Sequence, residues 1–180
     1  MRVTPLPAPL TADPDAVRVL AGEPNAFPCR RCLRDAEPGE ALLLLGYDPF
    51  LGASPYAGRG PIYVHEHDCA PFAGEGLPDQ LTRRLLSVRA YDDRHMLVDA
   101  EVTEGAELEF VAERMLGGKA AYLHVHNARP GCFACRVERN GPTTGVWGEL
   151  KAYSVSLLKA WFGDAATDAN GYLFEHLPRI

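Results

Sequence analysis

Residues 120–139 read AAYLHVHNARPGCFACRVER, and their polar and apolar positions alternate. Tyr122, His124 and His126 fall on one side of the alternation and Ala121, Leu123 and Val125 on the other, the period of a strand with one face on a core. Asn127, Pro130 and Gly131 are turn residues, so the stretch predicts an antiparallel hairpin with Leu123 and Val125 inward and the histidines on the opposite face. Residues 62–68 predict a strand of the same parity. Ile62 and Val64 face one way; Tyr63, His65, His67 and, with continuation, Cys69 face the other. Residues 41–47 form an unbroken apolar run of strand length, expected to be buried on both faces. Residues 86–91 and 96–103 flank a four-residue connection and predict a second hairpin.

The helical pattern is strongest over 106–116, where Leu108, Val111, Ala112 and Met115 recur at i, i+3, i+4 and i+7 and Gly117 follows as a stop. A shorter helix is expected over 77–85, with Pro78 and Asp79 in its first turn. Prolines 5, 7, 9, 14, 24 and 28 make residues 1–26 a proline-rich leader, relieved only by a short helix over 15–20. Past Gly141 and Pro142 the pattern changes. Trp147, Leu150, Ser154, Leu157, Leu158 and Trp161 share one helical stripe, which predicts an amphipathic helix over 147–162. The expected fold is α+β: a mainly antiparallel sheet with one packed helix in a domain over 27–140, the leader before it, and an appended C-terminal helical tail over 141–180.

Composition narrows the function classes. A net charge of −6 argues against general nucleic-acid binding, which needs a basic surface to displace counterions. No apolar run approaches the ~20 residues of a membrane span, so no membrane partner is expected. Five cysteines suit a reducing compartment better than a disulfide framework, which reads as cytoplasmic. The apolar face of the 147–162 helix is a candidate surface for a protein partner or for self-association.

The candidate chemistry is metal binding. His65 and His67, like His124 and His126, stand at i, i+2 on one strand face, some 6–7 Å apart along the chain. If the two strands are neighbours, four imidazoles and Cys69 converge, a donor set for zinc or another transition metal. The alternative is a half-exposed polar sheet face that serves as the ligand surface of a non-catalytic binding domain. Two C-x-x-C pairs add Cys29, Cys32, Cys132 and Cys135. Their separation is far beyond the ~15–20 residues of a zinc ribbon, and Cys132 and Cys135 sit at odd spacing on a strand, expected as buried, inert thiols. Cys29 and Cys32 lie in irregular chain beside Arg30 and Arg31, which favour thiolate, and beside His124 or His126 they would form the second constellation to test. No phosphate-binding glycine loop or serine elbow is present, and no reaction is named.

The stretches FPCRRCLRDAEPG at 27–39, PIYVH at 61–65, LSVRAYD at 86–92, YLHVHNA at 122–128 and GCFACRV at 131–137 stand out. Together they resemble a bacterial family of unknown function, domain of unknown function 1203. The resemblance covers residues 27–139 and implies one compact α+β domain without a known activity. The tail, WGELKAYSVSLLKAWFGDAAT at 147–167 and on to Pro178, is similar to an internal segment of the molybdenum-containing catalytic subunit of formate dehydrogenase. That enzyme's iron–sulfur cysteine motif has no counterpart here. The resemblance therefore implies a segment of different origin, joined near Asn140, without the activity.

Overall fold

The computed structural model describes residues 1–6, 13–50, 54–74 and 76–140. Among these the elements run β1 (Arg2–Thr4), β2 (Val17–Leu20), β3 (Ala41–Tyr47), β4 (Gly60–His65), a one-turn helix α1 (Asp79–Thr82), β5 (Leu85–Tyr91) and β6 (Leu97–Glu104). A 3₁₀ turn at Gly105–Glu107 then leads into α2 (Leu108–Leu116), followed by β7 (Tyr122–Asn127) and β8 (Phe133–Glu138). Five strands form one sheet in the order β1-β8-β7-β5-β6, and three form a second in the order β2-β3-β4. Every strand pairing is antiparallel.

The two expected hairpins form, β5–β6 and β7–β8, and β7 also pairs with β5. The helical stripe does what its period requires. Leu108, Val111, Ala112, Met115 and Leu116 are buried together with Leu86 and Val88 of β5, Leu123 and Val125 of β7 and Val137 of β8. Each such side chain contributes about 1.5–3 kcal/mol relative to exposure. A second cluster joins Leu45 of β3, Ile62 and Val64 of β4, Cys29 and Leu6 to Phe133 of β8, so the two sheets meet in a shared core.

Several expectations are corrected. Residues 1–26 are not a leader laid against the domain, because β1 pairs with β8 and β2 with β3. The helix expected over 15–20 is strand β2; Val17 and Val19 are β-branched, and pairing to β3 satisfies their backbone. β3 is buried at Leu42 and Leu45 and part-exposed elsewhere, since an apolar run reports hydrophobicity and not the number of packed faces. The helix expected over 77–85 is shortened to α1 because Leu85 already pairs with Glu104. β4 ends at His65, leaving His67 and Cys69 in the segment beyond it. The helix expected over 147–162 lies outside the described residues.

Candidate metal centre

The site begins with a tight loop. Cys29 N–H donates to Arg34 O and Ala36 N–H to Phe27 O, while Pro28 pairs with Asp35, so residues 27–36 double back with Cys29 and Cys32 in the bend. Leu33 closes the turn at φ +51°, a left-handed conformation costly for a bulky side chain. Its side chain is buried in the α2 core, and that burial offsets the strain. The loop is seated on β4 by Arg30 N–H donating to Tyr63 O at 2.9 Å, with Cys29 bridged to Tyr63. The segment after β4 returns to the same loop. Phe72 N–H donates to Arg31 O at 2.9 Å, and Arg31 Nε donates to Cys69 O at 2.5 Å.

These contacts bring Cys29, Cys32, His65 and Cys69 together, with one donor atom from each all lying within 4.8 Å of one another. Cys29 Sγ stands 3.8 Å from Cys69 Sγ, and Cys32 Sγ stands 3.5 Å from His65 Nδ1. Ligands of a tetrahedral zinc, at ~2.3 Å for sulfur and ~2.0–2.1 Å for nitrogen, stand about 3.5–3.8 Å apart. Cys29 and His65 are buried, Cys32 and Cys69 partly so. His65 Nε2, on the far side of the ring, lies 3.4 Å from Glu40 Oε2. Arg34 and the Glu37 N–H hold that carboxylate down to about 2, so it is charged at neutral pH. The charge on that carboxylate helps to raise His65, although Nε2 makes no hydrogen bond to it.

Within the cluster Cys32 donates its S–H to Cys29, which holds Cys29 below the ordinary thiol range and Cys32 above it. Burial first, then the charge on Cys29, pushes Cys69 up. His65 is raised chiefly by its bond to Cys29. The shifts thus favour the charge on Cys29 and the thiol form of Cys32 and Cys69, so a cation held by all three sulfurs would displace protons.

The remaining sequence candidates lie apart. The two histidine-bearing strands are not neighbours: β4 belongs to the three-stranded sheet and β7 to the five-stranded one. Parity sets which face a side chain takes, but not which strand lies beside it. His67 is exposed, its ring 4.8 Å from that of His65, and it stays outside the cluster. His124 and His126 do face away from Leu123 and Val125, yet the face they share is buried and aromatic rather than half-exposed. His124 has ring contacts with Phe50 at 4.7 Å, Tyr91 at 5.2 Å and Phe133 at 5.2 Å. Burial lowers His124 to about 3 and His126 to about 4, so both are neutral at pH 7. His126 Nδ1–H donates to Gly131 O at 3.0 Å. Neither histidine stands with Cys29 and Cys32, so the second constellation is not formed either.

Of the other C-x-x-C pair, Cys135 is fully buried and pushed up to about 12 by burial, as an inert thiol should be. Cys132 departs from that expectation. It is part-exposed, with Arg30 Nη2 donating to its sulfur at 3.0 Å. The spacing C-x₂-C followed by H-x₃-C was a signal for the cluster, since ligand pairs two to four residues apart are typical of zinc sites. Pairing histidines by strand parity hides it.

Fold and site together define a small, mostly antiparallel two-sheet domain with a candidate three-cysteine, one-histidine metal centre. The chain belongs to the family described as protein of unknown function (DUF1203), which matches residues 26–139. A 34-residue segment is 50% identical to formate dehydrogenase 2 subunit alpha (cytochrome c-553) of Nitratidesulfovibrio vulgaris. That segment is 19% of this chain, and the chain spans 3% of the relative's length. No solved structure matches the chain significantly. Among the described residues, no helix is long and apolar enough to cross a membrane.

Proposed function

We propose that this domain binds one zinc ion through Cys29, Cys32, His65 and Cys69, and that the ion is structural. The observation that carries the reading is the convergence of four soft or borderline donors from two separate segments to within 4.8 Å. Three sulfurs and an imidazole suit zinc better than magnesium or calcium, which take oxygen. Four protein ligands leave no open position for a substrate or water, which is the arrangement of a structural site rather than a catalytic one. The ion would tie the 27–36 loop to the end of β4 and to the segment carrying Cys69. Such a centre needs its thiols reduced, which is consistent with a cytoplasmic protein. The formate dehydrogenase match, at 3% of that subunit, brings no activity into the reading.

The test is elemental analysis of the purified full chain, combined with zinc competition against a chromogenic chelator. One zinc per chain is expected, held tighter than about micromolar. Cys69→Ser, at a part-exposed ligand, should weaken binding about 100-fold or more, whereas His67→Ala should leave the stoichiometry at one. A wild-type protein without stoichiometric transition metal, and with no sub-micromolar zinc affinity, would reject the proposal.

A further inference from the structure

A cleft of about 690 Å³ opens between the two sheets. Its walls come from Leu44 and Tyr63 on one sheet and Leu85 on the other, with the turn carrying Arg129 at its rim and Cys132 inside it. The volume falls in the usual range for small-molecule sites, ~300–1,000 Å³, and such sites pair an apolar wall with a few placed polar groups.

Charge gives the cleft its character. Arg30, Arg83, Arg84 and Arg129 line it against the single carboxylate of Glu104, four positive charges minus one, in a chain whose net charge is −6. Counting Asp35, which pairs with Arg84 at 2.6 Å, still leaves two positive charges in excess. These arginines have different duties. Arg30 is 1% exposed and fully committed, donating to Phe133 O, Pro28 O and Cys132 Sγ. Arg84 is committed to Asp35, Asn25 O and Gln80 O. Arg83 is half-exposed; its Nη1 donates to Asn25 Oδ1 at 2.6 Å and its Nε to Asp79 O at 3.1 Å, while its Nη2 stands 3.8 Å from Asp35. Arg129 is exposed and has no ion-pair partner among the described residues. Arg129 is thus free to turn toward a ligand, and Arg83 offers its Nη2 beside it, while Arg30 and Arg84 are fixed.

The inner end is polar and incompletely satisfied. Asn127, 6% exposed, directs Nδ2 at Cys132 Sγ at 3.4 Å and leaves its buried Oδ1 without a partner among the described residues. A buried acceptor without a donor carries a desolvation cost that an incoming N–H or O–H removes. The geometry points to a binding site for a small organic anion with an apolar body, its anionic group on Arg83 and Arg129 and its far end against Asn127 and Cys132. None of the four cluster residues lines this cleft, although Pro28 and Arg30, on either side of Cys29, do.

The probes are 2-naphthoate and its uncharged counterpart 2-naphthamide, titrated calorimetrically into the full chain at constant salt. Naphthoate should bind about ten-fold or more tightly than naphthamide, because charge-assisted hydrogen bonds are roughly twice as strong as neutral ones and one decade is a small energy. In an Arg83→Ala, Arg129→Ala double variant, both sites being surface-exposed, that preference should fall toward unity. Naphthoate should also slow alkylation of Cys132 by iodoacetamide, followed by peptide mass mapping. In that reaction sulfur bonds to the reagent's methylene carbon, iodide leaves with the bonding pair and the thiol proton passes to buffer. Equal affinity for acid and amide, no binding of naphthoate at millimolar concentration, an anion preference that survives the double variant, or unprotected Cys132 would each overturn the assignment.

Discussion

His124 and His126 carry the clearest consequence at the scale of single residues. Their folded-state values lie near 3 and 4 because burial disfavours the imidazolium, while an unfolded histidine titrates near 6.5. Between those limits the unfolded chain binds more protons than the folded one, so stability falls as pH drops below about 6.5. His124 sits among Phe50, Tyr91, Tyr122 and Phe133, and its Nδ1 has no partner among the described residues. His124→Phe should therefore remove part of the acid sensitivity. Compared with wild type, it should gain about 2 kcal/mol on going from pH 7 to pH 4.5, read from urea midpoints. Release of any bound metal would affect both proteins alike, so the difference between them isolates the histidine. Parallel pH profiles would show that His124 is not held neutral.

At the scale of elements, the junction of β6 with α2 depends on close backbone approach. Gly105 donates its N–H to Arg84 O at 2.7 Å, and a Cβ there would collide with the Leu81 and Arg84 carbonyls. Those carbonyls belong to α1 and to the turn into β5, so they cannot withdraw without disturbing the β5–β6 pairing. Gly105→Ala is expected to destabilise the domain by about 1–3 kcal/mol, as overpacking against fixed atoms does. A thermal or urea midpoint equal to wild type would mean that α1 yields freely. The bend at 27–36 is built on the same principle. Arg30 and Leu33 are held in place by acceptors and core contacts from distant chain, so the positions of Cys29 and Cys32 in that loop are set by long-range contacts.

At the scale of the whole molecule, the domain closes on its last described strand. β8 pairs with β7 on one side and with β1 on the other, and the Arg139 guanidinium donates to the carbonyls of Leu116 and Ala120. The family match also ends at residue 139. A chain ending at Asn140 should therefore unfold in one cooperative transition by two spectroscopic probes. If far- and near-ultraviolet signals melt separately, or the shortened chain is insoluble, then residues 141–180 belong to the folding unit.

Local pattern was enough to determine both hairpins, the 106–116 helix and the inward placement of Leu123 and Val125, because each follows from the period of side chains along one element. It was also enough to nominate Cys29, Cys32, His65 and Cys69, since their residue types define a ligand chemistry wherever they lie. The choice among seven candidate ligands was a tertiary matter. Whether β4 lies beside β7 or beside β3 depends on which sheet each strand joins, and no periodicity encodes that. The same long-range pairing turned the supposed leader into strands β1 and β2 and buried His124 under Phe50. It also opened the cleft between the sheets. Local sequence specifies what each segment prefers, but contacts between distant segments decide which donors meet and which faces are dry.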